Sequence, residues 1–147
     1  MRIRTARAAD ANRLIGLLGI QLREHGVTLD ARLLARAVRG LLRRPELGRV
    51  LVAADGSDVV GFAALSFLWT LEHGGRAPWL DELYVVPQRR GRGIGRALLS
   101  AAYGIAREAG AIALDLEIEK GHARAASLYR REGFERLSRE RWSRRLE

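Results

Sequence analysis

A mixed α/β sheet flanked by helices is the fold class this chain predicts. Apolar residues recur at helical spacing in the first third, strand patterns fill the middle, and strands and helices alternate from there on. No internal repeat, low-complexity run or linker-like stretch breaks this order. The 147 residues therefore read as one domain, 1–147, large enough for a real core.

Arg2 to Thr5 reads as a short strand. Asp10 is placed to N-cap a first helix, whose Leu14, Leu17, Leu18 and Leu22 share one stripe and which Gly26 ends. A second helix runs from about Leu29 to Arg44, with Leu33, Leu34, Ala37, Val38 and Leu41 facing inward and Pro45 as the stop. Val50 to Ala54, the turn Asp55-Gly56-Ser57-Asp58 and Val59 to Trp69 make a hairpin. Ala77 to Val86 is the next strand, closed by Pro87. A glycine-rich loop then opens a helix with Ile94, Ala97, Leu98, Ala101, Ile105 and Ala109 inward and Gly110 as its cap. Ala111 to Glu119 alternates as a strand, His122 to Glu132 is a last helix ending at Gly133, and Phe134 to Leu146 supplies two short strands or a bent one.

Composition narrows the chemistry. Without cysteine the chain has no disulfide, thiolate catalyst or cysteine zinc site, and three scattered histidines (His25, His73, His122) argue against a histidine-built metal site. Apolar runs such as Val59 to Trp69 are shorter than a bilayer span, and Met1-Arg2-Ile3-Arg4 leads into no apolar signal region. A cytoplasmic protein with no membrane partner is expected. Lys120 is the only lysine, and the net charge is +9. That arginine bias has two readings, a compositional one and a polyanion partner.

Gly91, Gly93 and Gly95 lie between a strand and a helix, where bare N–H groups and the positive helix end can hold an anion. Arg89, Arg90, Arg92 and Arg96 add four cations. The loop fits a pyrophosphate cradle, or a plain helix entry with solvated arginines. Arg96-Ala97 after Gly95 lacks the Lys-Ser/Thr of a P-loop. Asp115 at the next strand suits a dinucleotide loop, but Arg96 replaces its third glycine and the turn is too long.

Gln88-Arg89-Arg90-Gly91-Arg92-Gly93, after Leu83-Tyr84-Val85-Val86-Pro87, resembles the Gln/Arg-x-x-Gly-x-Gly/Ala signature of the GNAT-type N-acetyltransferases. Ile3-Arg4 with Ala9-Asp10 resembles the family's opening, and Ala125, Leu128-Tyr129 and Gly133-Phe134 its late helix. The resemblance implies a mostly antiparallel mixed sheet of six to seven strands with about four helices, splayed at an acetyl-CoA site. It implies acetyl transfer from acetyl-CoA, without a metal, to an amine acceptor on a small molecule or protein, by direct attack. It also implies that Leu83, Tyr84 and Val85 line the pantetheine arm, and that Gln88, Arg89, Arg90, Gly91, Arg92, Gly93, Ile94, Gly95 and Arg96 take the pyrophosphate. His122 stands where many members carry an asparagine that supports the pantetheine; it is either a substitute contact or a helix-start residue.

An amine must lose its proton before it attacks, which favours a carboxylate or a water chain near the acceptor. Asp81 and Glu82 are adjacent on a strand, so they point to opposite faces and either is the candidate base. By the resemblance, Tyr129 gives its proton to the departing thiolate. Two other classes compete: an acetyl-CoA sensor with the same fold, and a nucleic-acid-binding module using Arg32, Arg36, Arg39 and Arg43 on the second helix. No specific nucleic acid is expected, because apolar residues occupy the opposite face of that helix and the glycines would go unexplained. A homodimer is among the assemblies the sequence allows.

Overall fold

The computed structural model describes residues 1–146. They form two compact units, Met1–Glu117 and a smaller one that begins at Ile118.

In the first unit, β1 (Arg2–Thr5), β2 (Gly48–Asp55), β3 (Asp58–Thr70), β4 (Gly75–Val85) and β5 (Asp115–Leu116) form one sheet in that order. The first four pair antiparallel and β4 pairs β5 in parallel. Helices α1 (Ala11–Glu24) and α2 (Ala31–Arg43) cover one face. There Leu14, Leu17 and Val38 pack on Val50, Val52, Phe62 and Tyr84. Helix α3 (Ile94–Glu108) covers the other face: a Cβ built on Gly61 would point at Leu98, 3.4 Å away. Alternation along β2 and β3 thus feeds two cores from one sheet, which is why these strands read as nearly continuous apolar runs.

Three local expectations are corrected. Asp10 does not cap α1; it ends a 3-10 turn, Ala8–Asp10, and its carboxylate accepts from the Arg7 N–H at 2.7 Å and from the Arg4 guanidinium at 2.7 and 2.9 Å. A buried carboxylate gains more from a bidentate cation than from one helical N–H. Along α3 the buried positions are Ile94, Leu98, Leu99, Ala102 and Ala106, so Ala101, Ile105 and Ala109 lie off the core stripe by a fraction of a turn. On α2 only Leu34 and Val38 are buried, and Leu33 is exposed.

The sheet has five strands rather than six or seven. The expected strand Ala111 to Glu119 shrinks to β5, which meets β4 only at Trp79↔Asp115 and Leu80↔Leu116. Its end coincides with a bulge: Ala64 faces Glu82 while Leu65 faces Leu80, which leaves Asp81 as an extra residue in β4. A bulge bends and twists its strand, so a parallel neighbour cannot follow past it.

The second unit holds α4 (Ala123–Arg131), with His122 at its N-cap and Gly133 in the left-handed region just after it. No strand forms between Phe134 and Leu146. Apolar residues there, Phe134, Leu137, Trp142 and Leu146, are too widely spaced to give an alternating face.

The Arg4–Asp10 pair yields a stability prediction. Hydrogen bonding to Arg4 holds the Asp10 carboxyl below its usual value, against the opposing effect of burial. A lowered carboxyl stabilises the fold above about 3.8, and that contribution is lost as pH falls through the lowered value. Asp10→Ala leaves the half-buried Arg4 without its partner and should cost about 1–3 kcal/mol in urea unfolding at pH 7. The difference from wild type should narrow below pH 3.8.

Candidate active site

The bulge at Asp81 decides what β4 can present. Beyond Leu80 no described strand pairs with the β5-side edge of β4. The Val86 N–H donates to the Val60 carbonyl at 2.9 Å, so by alternation the backbone groups of Val85 and Leu83 face the edge away from β3. The Val85 carbonyl already accepts from Arg90 Nε at 2.8 Å, which leaves its N–H and both backbone groups of Leu83 along that edge. Tyr84 does not join this row. Its ring is buried against Phe62 on the α1 face, 6.1 Å between centroids, and its carbonyl points at β3.

After Pro87 the chain makes a 3-10 turn, Pro87–Arg89, in which the N–H groups of Arg89 and Arg90 donate to the carbonyls of Val86 and Pro87. Gly91 and Gly93 then take left-handed conformations, φ 76° and 78°, and Gly93 caps α3. The row of donors at the helix mouth therefore starts at Gly91, and Gln88 lies exposed ahead of it. A Cβ on either glycine would meet no protein atom within 4 Å, so it is the left-handed backbone conformation that calls for glycine there.

The four arginines divide. Arg89 pairs with Asp55 at 2.6 Å and fastens the loop to the β2–β3 turn. Arg90 reaches Glu24 at 3.4 Å, caps the Val85 carbonyl and lies over the Tyr84 ring at 5.4 Å. Those two hold the loop in place. Arg92 and Arg96 are exposed beside the glycines, whereas the Ile94 side chain is buried, so only its backbone faces the helix mouth. Cations and N–H donors are the set a pyrophosphate calls for, and an open strand edge is what an amide-bearing arm pairs with, so these residues fit acetyl-CoA.

Glu82 and Asp81 are separated by the same bulge. Asp81 is exposed. Glu82 is half-buried and in phase with Tyr84. Burial, and then the neighbouring Asp81 charge, push the Glu82 carboxyl up to about 7, with Gln21 of α1 acting against them. A carboxylate that titrates near neutrality can take a proton and return it to water. Nearby, the Tyr84 hydroxyl donates to Glu24 at 3.4 Å; burial, followed by Glu24, raises the phenol.

Gln21 was absent from the sequence expectations, although its signal was present. It is a polar residue in phase with Ala11, Leu14 and Leu17, and is itself 4% exposed. The His73–Asp115 pair was also missed, with Nε2 and Oδ2 at 2.8 Å. Those atoms and a Glu72 carboxylate oxygen lie within 4.8 Å of one another. The hydrogen bond fixes the β3–β4 turn to β5 one ladder position before the bulge.

In the second unit, His122 Nδ1 accepts from the Ala125 N–H at 3.2 Å, which makes His122 the helix-start residue. Tyr129 packs edge-on against Phe134 with centroids 5.5 Å apart.

The model of the Acetyltransferase (GNAT) family matches residues 17–134. The chain is 43% identical over 86 residues to streptothricin acetyltransferase of Streptomyces lavendulae, a match over 58% of this chain and 42% of that protein. An uncharacterized N-acetyltransferase of Bacillus subtilis (strain 168), YhfO, is 30% identical over 135 residues, which are 92% of this chain and 90% of its own. A predicted acetyltransferase from Clostridium acetobutylicum, solved with acetyl-CoA, shares the fold with a TM-score of 0.84 at 21% identity, over 97% of this chain and 95% of that one. Among the described residues no helix is long and apolar enough to cross a membrane.

Proposed function

Because the chain belongs to the GNAT acetyltransferase family, we propose that it moves an acetyl group from acetyl-CoA to a primary amine by direct attack, with the whole chain acting as one domain. The observation that carries this reading is the open edge of β4, leading into two left-handed glycines at the mouth of α3, with a near-neutral carboxylate on the same strand. Acetyl-CoA supplies an activated thioester. The N–H groups from Gly91 onward, with Arg92 and Arg96, hold its pyrophosphate, and Leu83 and the Val85 N–H align its arm. Glu82, rather than Asp81, takes the amine proton: half-burial raises its basicity, whereas Asp81 is exposed to water. Tyr129 returns a proton to the departing thiolate. The absence of cysteine leaves no thiol for a covalent acetyl-enzyme and supports direct attack.

Thermal-shift titration tests the cofactor. Acetyl-CoA and CoA should raise Tm, by linkage, while NAD and ATP should not. Stabilisation by NAD or ATP alone would sink the reading. Gly93→Val should remove the acetyl-CoA shift; because φ is 78° there, it should also lower the Tm of the unliganded protein, at a cost of about 1–2 kcal/mol.

A further inference from the structure

We infer that Asp55, at the turn between β2 and β3, is a positioning residue for the cofactor loop: by holding the Arg89 guanidinium it keeps the glycine loop in the form that receives pyrophosphate, without touching the cofactor itself. The inference rests on acetyl-CoA being the ligand of this loop. Gly91 and Gly93 give the loop its shape, and glycine is the residue that loses most freedom when a chain is fixed. A row of N–H donors built on two such glycines binds well only if other contacts have fixed it beforehand. Downstream, the buried Ile94 side chain does so. Upstream, Arg89 Nη2 lies 2.6 Å from Asp55 Oδ2.

Asp55 suits this task because its own position does not depend on the loop. It ends β2 and pairs with Asp58 across the turn, so the hairpin register places its carboxylate. The same hairpin carries Val60, whose carbonyl accepts from the Val86 N–H at 2.9 Å just before the loop begins. Arg89 is committed to the anchoring at both ends: its backbone N–H donates to the Val86 carbonyl at 2.9 Å, and its guanidinium is drawn to the turn. A second tether, Arg90 on the Val85 carbonyl at 2.8 Å, leaves the stretch from Gly91 to Gly93 between fixed points. Charge alone would not put a carboxylate beside an anion site, since it weakens the attraction for phosphate. Were Arg89 instead a direct phosphate ligand, Asp55 would compete with the phosphate for it, and removing the carboxylate would tighten binding. The anchoring role predicts the opposite sign.

The test compares the full chain with Asp55→Asn, Arg89→Gln and the double variant by calorimetric titration with CoA. The two side chains are 39% and 40% exposed and Arg90 remains in place, so each single variant should weaken CoA by about two- to fivefold. The double variant, which restores the wild-type net charge, should weaken it no further, because both changes remove one contact. With a primary amine as acceptor, the same loss should appear in KM for acetyl-CoA while kcat holds. In the unliganded protein, nitrogen relaxation should show the Gly91 and Gly93 amides more mobile in Asp55→Asn than in wild type. A carboxylate that served only the hairpin would lower Tm and leave Kd and those amides alone. An unchanged Kd in Asp55→Asn, or glycine amides as rigid as in wild type, therefore overturns the inference. So does tighter CoA binding in Asp55→Asn beside weaker binding in Arg89→Gln, the pattern of a direct ligand. A wild-type chain that fails to bind CoA overturns the cofactor reading instead, and the glycine amides still judge whether Asp55 holds the loop.

Discussion

Glu82→Gln should lower turnover on amine acceptors by about 10²- to 10⁴-fold and at the same time make the protein more stable above pH 7. The amide keeps the shape but cannot take the proton of the incoming ammonium. Wild-type kcat/KM should therefore rise with pH through a midpoint near 7, where Glu82 ionises. The variant should lack that limb, and its residual rate should track the free amine in solution. The stability effect has the opposite sign from that of Asp10. A carboxyl raised in the folded state binds its proton more tightly there, so its contribution is full below its unfolded value of 4.5 and is lost as pH rises to about 7. Replacing it with a neutral amide removes that loss, on the order of 2–3 kcal/mol at pH 8. Urea unfolding at pH 5 and pH 8 checks this: the variant should gain much more on wild type at the higher pH. Turnover unchanged beside a wild-type pH profile would move the base elsewhere.

What the sequence revealed and what it hid follow from the range of the forces involved. Hairpin β2–β3, the helix-ending glycines Gly26, Gly110 and Gly133 and the glycine loop before α3 were legible because each depends on residues within a few positions of one another. The bulge at Asp81 could not be read, since it is a mismatch between β3 and β4, visible only once Ala64 has met Glu82 and Leu65 has met Leu80. That mismatch separates the two carboxylates that strand parity alone left equal. It also ends β5, so an alternation over Ala111 to Glu119 that looked like a full strand yields two paired residues. The arginines illustrate the same limit. Four cations around three glycines suggested one shared task, but Asp55 and Glu24, distant in sequence, claim Arg89 and Arg90. Charge pattern gave their number, and only tertiary contact gives two of them carboxylate partners.

Tyr129→Phe should reduce turnover by about ten- to a thousandfold, about 1.4–4 kcal/mol of barrier, while acetyl-CoA binding changes little. The departing thiolate has a free pKa of about 8.5 and the phenol one of about 10, close enough for proton transfer to keep pace with bond breaking. Removing only the hydroxyl leaves the edge-on contact with Phe134, at 5.5 Å between centroids. The backbone bond from the Phe134 N–H to the Tyr129 carbonyl, 2.9 Å, is indifferent to the side chain. The thermal shift with acetyl-CoA should thus match wild type, and the loss should fall on kcat. The variant should also tell the proposed acid apart from the base. Losing Glu82 removes the rising limb near pH 7, whereas losing Tyr129 should leave that limb in place and lower the plateau above it. Full turnover in Tyr129→Phe would assign the thiolate's proton to solvent and leave Tyr129 with its packing against Phe134.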